Sequence, residues 1–374
     1  MLRSLTVCFI GVCAAIAIAA CSNVSSTSGL SIGPSFPVGS LYVTNATQNL
    51  ISIYKVNQSS GSGPAYSIGG SSTSLNNPQY LAFDSSNNLW VTNYNASTQA
   101  GNLIEIHSLA TGNVLPIGII ASNSTNGIVR PRGIAINGAD KEVVIANVNP
   151  TAGSPFESQL LLFSTDAASV DNSVPELVIA GPLTLMNVPS GVALSGRTAY
   201  VTNLQAASVE AFAVPSYSPS PTPTPPTPSP SPTPTAPTPT PSPTPTPVNI
   251  APSLVLSGAL TGITQPTDVA LDSSGNLYIS DAGSLAVSPS VLVFPAGLSG
   301  TVNQAPTRKI SGSNTKLFAP TGIAVDASGN IYVADTTAAG AGMIYVFSAT
   351  ANGNVAPMTT YTSPGVPVGL GLVP

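Results

Sequence analysis

The chain has one histidine, one tryptophan, three cysteines and little charge, with nine Lys and Arg against fourteen Asp and Glu in 374 residues. Without a second histidine, zinc sites of the usual His and Cys spacing are excluded. A Ser-His-Asp triad would have to use His107, which stands far from any nucleophile motif and directly after an apolar strand, where a lone histidine reads as a surface residue. No basic cluster exists and the formal charge is −5, so the counterion release that drives nucleic-acid binding is missing and nucleic acid is not an expected partner. Two cysteines, Cys8 and Cys13, lie in an N-terminal apolar run, which leaves the body without a disulfide or a thiolate site. What is abundant is Gly, Pro, Ser, Thr and Asn between short apolar runs, a composition of strands joined by polar turns.

Residues 1–20 read as an export signal, with Arg3 ahead of an apolar run too short for a spanning helix. The run ends in Ile18-Ala19-Ala20-Cys21, which resembles the lipobox of bacterial lipoproteins. That resemblance implies cleavage before Cys21, its acylation, and the lipid bilayer as a partner. The alternative is an ordinary cleaved signal with a cysteine nearby. Residues 21–37 are rich in Ser, Gly and Asn, as a flexible tether would be. Ser22 differs from the aspartate that would favour inner-membrane retention in enterobacterial lipoproteins. The expected location is extracytoplasmic, anchored at the outer membrane or cell surface.

Internal similarity decides the fold. From Pro320 the chain reads P-T-G-I-A-V-D-A-S-G-N-I-Y-V-A-D, and from Pro266 it reads P-T-D-V-A-L-D-S-S-G-N-L-Y-I-S-D. Weaker copies begin at Pro78, Pro131 and Pro189. Each is a strand, a turn of Asp, Ser, Gly and Asn that tolerates left-handed conformations, and a second strand. A third apolar strand follows each hairpin, and a looser fourth is readable around residues 67–68, 177–179, 254–256 and 308–310. Spacings of 53, 58, 77 and 54 residues between successive prolines fit four-stranded blades, the outlier being lengthened by a Pro/Thr/Ser-rich insert at residues 216–247 that has nothing apolar to bury. Residues 40–45 and 51–54 match a second and third strand without a first, and residues 367–372 match a first strand with nothing after it. Joined, they complete a sixth blade. The expectation is an all-β, six-bladed β-propeller over residues 38–374, closed by pairing of the N- and C-terminal segments and interrupted by the disordered insert. A two-domain chain with the insert as linker fails, because three blades a side cannot close a ring.

The hairpins resemble the NHL repeat family, whose consensus runs close to P-x-G-I-A-V-D-x-x-G-N-I-Y-V-A-D. The copy at Pro131 departs from it at Lys141 and Glu142, and that at Pro189 is shortened. Residues 88–93 look like the repeat of streptogramin lyases, but the catalytic histidine of those enzymes has no counterpart. Gluconolactonase-like and paraoxonase-like propellers hold a divalent metal on the axis with Asp, Glu and Asn oxygens. Similarity to them implies weak calcium candidates among the second-strand ends, Asn93, Asn147, Asp281 and Asp335, which with Asn45 and Asn203 form a polar ring of one residue per blade. The plainer interpretation is that each caps a loop, as Asp84, Asp272, Asp326 and Asn137 would tighten the hairpin turns. Candidates for ligand binding are the residues just after each anchoring proline, which face the channel mouth and vary between repeats: Tyr80, Arg132, Ser190, Asp268 and Thr321. The expected protein is a monomeric, cofactor-free binding module for a protein, peptide or glycan of the envelope. Alternatives are a calcium-type lactonase-like hydrolase and a structural envelope protein.

Overall fold

A computed structural model of the chain describes residues 39–123, 125–139, 141–149, 158–169, 173–215 and 246–373. The signal peptide, Cys21, the tether and all but the last two residues of the insert lie outside the described residues.

The chain is a six-bladed β-propeller. Blade 1 places Pro367–Leu372 innermost, then Leu41–Asn45, Leu50–Tyr54 and Tyr66–Gly69. Blades 2 to 6 follow in chain order, each from its inner strand outward. Blade 2 is Pro78–Phe83, Leu89–Asn95, Ala100–Ile106 and Gly118–Ala121, and blade 3 is Arg130–Asn137, Glu142–Val148, Ser158–Ser164 and Leu177–Ala180. Blade 4 is Pro189–Ser195, Thr198–Asn203, Ser208–Ala213 and Leu254–Ser257, with Gly300–Val302 added in parallel at its outer edge. Blade 5 is Pro266–Leu271, Leu277–Asp281, Ser290–Phe294 and Arg308–Ser311, and blade 6 is Pro320–Val325, Ile331–Thr336, Gly342–Phe347 and Thr359–Ser363. The termini close the ring: Leu41 pairs with Leu372 and Val43 with Leu370, and beyond the strands Gly39 N–H donates to the Val373 carbonyl at 2.9 Å.

Alternation along the strands sends side chains to both faces of every blade, so the protein has six cores, one between each pair of neighbours. Between blades 2 and 3, for example, Trp90 and Leu103 meet Ile145 and Phe163. Where the repeat departs from its pattern, the hairpins still form: Lys141 and Gly196 take the left-handed conformation with φ of 54° each.

The turn aspartates explain the repeat's most regular letters. Asp326 accepts the N–H groups of Ser328 and Asn330 at 2.9 and 2.8 Å with one oxygen. Its other oxygen accepts the Asn330 amide at 2.9 Å and the Tyr332 hydroxyl at 3.2 Å. Asp272 does the same with Ser274, Asn276 and Tyr278, and Asp84 with Ser86, Asn88 and, at 3.4 Å, the Trp90 indole. The D, N and Y of the repeat are thus one hydrogen-bonded unit that locks the hairpin.

A second repeated device joins blades at their outer edges. The connection after the third strand of one blade runs parallel to the outer strand of the blade before it, as Gly112 beside Ile68, Val248 beside Ile179, Gly300–Val302 beside Leu254–Leu256, and Gly353 beside Ile310. An asparagine follows each. Asn113, Asn249, Asn303 and Asn354 accept the backbone N–H of Ser72, Leu183, Leu260 and Asn314 at 2.7 to 2.9 Å. Residues 173–215 and 246–373 of the flanking chain show that the insert interrupts such a connection in blade 4, after the third strand.

Candidate functional site

Second strands end, and inner strands begin, on one face of the ring, here termed the mouth face. The polar residue ending each second strand is almost fully buried and holds the incoming loop. Asn93 accepts the Asn76 N–H at 3.2 Å, Asn147 the Val129 N–H at 3.0 Å, and Asn203 the Asn187 N–H at 3.1 Å. Asp281 accepts the N–H groups of Thr264, Gln265 and Gly283 at 2.7, 3.0 and 2.9 Å and the Thr264 hydroxyl at 2.6 Å. Asp335 accepts those of Phe318 and Ala319 at 3.0 and 3.2 Å, and burial, opposed by these two bonds, pushes its pKa up to about 6. Asn45 is bonded to Ser52 and Ser363.

These contacts give Asn93, Asn147, Asp281 and Asp335 a loop-holding role, the plainer of their two interpretations. Among the described residues no group of three or more His, Cys, Asp or Glu comes together.

One position earlier, small hydroxyls stitch neighbouring blades around the axis. Thr44 accepts the Gly369 N–H at 2.8 Å and donates to the Gln79 carbonyl at 2.5 Å, and Thr92 accepts the Tyr80 N–H at 3.0 Å and donates to the Arg132 carbonyl at 2.6 Å. A register shift just past the proline of each inner strand, as between Pro78 and Leu81, opens the pairing that these hydroxyls fill.

The inner strands pack so tightly that the third position after the start of the repeat is glycine in four blades. A Cβ on Gly133 would sit 2.3 Å from the Ser190 carbonyl, and one on Gly322 2.2 Å from the Val368 carbonyl. Only Tyr80 of blade 2 and Asp268 of blade 5, on opposite sides of the ring, carry side chains there. The Tyr80 hydroxyl crosses the axis to donate to the Thr267 carbonyl at 3.0 Å and lies 3.4 Å from Ser190 Oγ. Asp268 accepts its neighbour's N–H, from Val269, at 2.9 Å and the Ile323 N–H of blade 6 at 3.0 Å. Burial, outweighing those two bonds, pushes its carboxyl up to about 7. Tyr80 is held protonated, by burial first and by the Asp268 charge second, against the opposing influence of Arg132 and Ser190.

The structure therefore brings Tyr80, Arg132, Ser190 and Asp268 together but corrects their expected availability: Tyr80, Ser190 and Asp268 are 5%, 1% and 5% exposed and bonded internally. They close the channel. Thr321 donates to the Pro367 carbonyl at 2.9 Å as another stitch. His107 is exposed beside the Ser108 carbonyl, as its position in the sequence suggests.

Elsewhere on the mouth face a cleft of about 280 Å³ opens over blade 2, lined by Ser74, Asn76, Asn93, Asn95, Thr98 and Asn102, with Ala100, Gly101 and Ala121 among its small residues. Of its residues the repeat marks only Asn93; Asn95 and Asn102 lie at the ends of blade 2 strands and Asn76 in the loop before them, at positions the repeat does not define.

No protein-family model matches the chain, and no curated protein matches it. Solved structures similar to it include the nidogen/laminin complex, at 12% identity and a TM-score of 0.50 over 90% of this chain and 98% of that one. A periplasmic gluconolactonase of Pseudomonas aeruginosa is 12% identical with a TM-score of 0.50, over 89% and 87% of the two chains. A protein from Lactobacillus plantarum is 10% identical with a TM-score of 0.50, over 90% and 100%. At these identities the likeness is one of fold, and the fold they share with this chain is the β-propeller.

Proposed function

We propose that the chain is a non-enzymatic, monomeric binding propeller of NHL-like repeats, held outside the cytoplasm by acylated Cys21, that offers its mouth face to a glycan, peptide or protein of the envelope. The observation that carries this reading is the closed axis: Tyr80 spans it, and both oxygens of Asp268, its one carboxylate at that level, accept backbone N–H groups. A catalytic carboxylate or metal ligand has to reach its substrate or ion, and Asp268 is buried behind these contacts.

The rest of the mouth face suits association. Exposed Leu183, Leu185, Leu260, Leu285 and Phe318 stand in its loops over blades 4 to 6, a rim of apolar side chains of the kind that marks interaction surfaces. The described chain begins at Gly39, on the face opposite the mouth face.

Turnover of lactones and phosphotriesters by purified protein, with calcium and with chelator, tests the reading. No turnover and no calcium-dependent rise in melting temperature are expected. Calcium-dependent turnover abolished by Asp268→Asn and Asp281→Asn would establish the hydrolase instead. Fatty-acid labelling of the intact chain, lost in Cys21→Ser, tests the anchor.

A further inference from the structure

We infer that the cleft over blade 2 is a subsite for one uncharged sugar ring of a glycan. The inference rests on the binding reading above and names the ligand class for one part of the mouth face.

Size comes first. Clefts for drug-sized ligands run from roughly 300 to 1,000 Å³, so a volume of about 280 Å³ suits a ligand of one ring. The lining decides the chemistry. None of its residues is ionisable, so an anion entering it would give up hydration with no opposite charge in return. Calcium finds no carboxylate there.

Asn95 and Asn102 are oriented by bonds that use their carbonyls and leave their amino groups free. Asn95 Oδ1 accepts the N–H groups of Ser97 and Thr98 at 2.9 and 3.2 Å, and Asn102 Oδ1 accepts the Asn93 amide at 2.9 Å. The Nδ2 groups of Asn95 and Asn102 have no protein partner among the described residues. Neither do the side-chain amide of Asn76 and the hydroxyls of Ser74 and Thr98. The cleft thus sets two fixed N–H donors among groups that both donate and accept. Adjacent sugar hydroxyls, each a donor and an acceptor, require such a mixture. Ala100, Gly101 and Ala121 leave room for the apolar face of the ring. Gly101 cannot be larger, since its Cβ would lie 2.2 Å from Pro131 Cδ.

Saturation-transfer NMR on the intact chain with glucose, galactose, mannose and N-acetylglucosamine tests the site, alongside the variants Asn95→Asp, Asn102→Asp and Ala100→Tyr. Each Asp variant keeps the accepting oxygen and exchanges the free donor for a charged acceptor at an open site, so the melting temperature should hold while binding weakens about fivefold or more. Ala100→Tyr fills the cleft and should abolish transfer. Transfer from at least one sugar that is lost in these folded variants supports the inference. Absence of transfer from all four, transfer unchanged in the variants, or preferential binding of inorganic phosphate overturns it. If no sugar binds and no lactone turns over, the cleft inference alone falls. If a sugar binds in the cleft and lactones turn over with calcium, the non-enzymatic reading alone falls.

Discussion

The phenol of Tyr80 reaches across the propeller axis to the Thr267 carbonyl, 3.0 Å away, and so ties blade 2 to the blade opposite it. In most of the ring this level holds glycine, and the one tyrosine fills the space the glycines leave. Tyr80→Phe should cost about 1 kcal/mol through the lost hydrogen bond, and Tyr80→Ala roughly 3–5 kcal/mol because it also opens a cavity. Denaturant melts of the two variants give the difference, and equal stabilities would mean that the ring does not bear on the Tyr80 side chain.

Glu210 is a buried carboxyl in the third strand of blade 4, with Oε1 accepting the Ser208 hydroxyl at 2.6 Å and Oε2 without a partner among the described residues. Burial, only partly opposed by Ser208, pushes its pKa up to about 7. Between the ordinary carboxylate range and pH 7 the unfolded chain releases this proton and the folded chain keeps it, so stability falls as pH rises and levels off above 7. Glu210→Gln should stabilise the protein by roughly 3 kcal/mol at pH 8 and by nothing at pH 4. Melting curves at the two pH values read the sign directly. Asp268 and Asp335, raised for the same reason, tilt the wild-type profile the same way.

Asp272 runs opposite. Burial works to raise its pKa, but hydrogen bonds from the Asn276 side chain and backbone, Ser274 and Tyr278 outweigh it and hold the carboxyl below its usual range. Its contribution is present above the unfolded pKa and is lost as pH falls through the folded one. Asp272→Ala should destabilise by roughly 1–2 kcal/mol at pH 7, with the gap narrowing toward pH 3 in parallel melts.

Two glycines separate packing from backbone strain. Gly322→Ala would put a methyl 2.2 Å from the Val368 carbonyl of the next blade and should cost roughly 3 kcal/mol or more. Gly353 has φ of +73° and nothing within 4 Å, so Gly353→Ala should cost only about 1 kcal/mol. Equal losses would contradict the tight axial packing.

The blade pattern was legible because the hairpin unit is local: Asp326, Asn330 and Tyr332 bond within seven residues, so their spacing survives from copy to copy. The outer strand Thr359–Ser363 escaped notice because it is mostly threonine, without the apolar run that marks a strand. The asparagine links at Asn113, Asn249, Asn303 and Asn354 join residues some forty or more positions apart, at offsets that loops make irregular. At the site, the sequence marked Tyr80 and Asp268 as departures from the repeat, which they are. It could not show that such departures fill the axis, since that depends on the distance across the ring. Asn76, Asn95 and Asn102 of the cleft carry no repeat signature, being gathered beside Asn93 from strand ends and loops of one blade.

Both the axial plug and the mouth-face loops hold their places only because the ends of the chain share blade 1. Removal of residues 364–374 takes away the inner strand that pairs Leu370 with Val43 and Leu372 with Leu41. Thermal unfolding of that truncated chain beside the intact one measures the point: the account predicts loss of a single cooperative transition, and a truncated chain that melts as sharply and as late as the intact protein would contradict it.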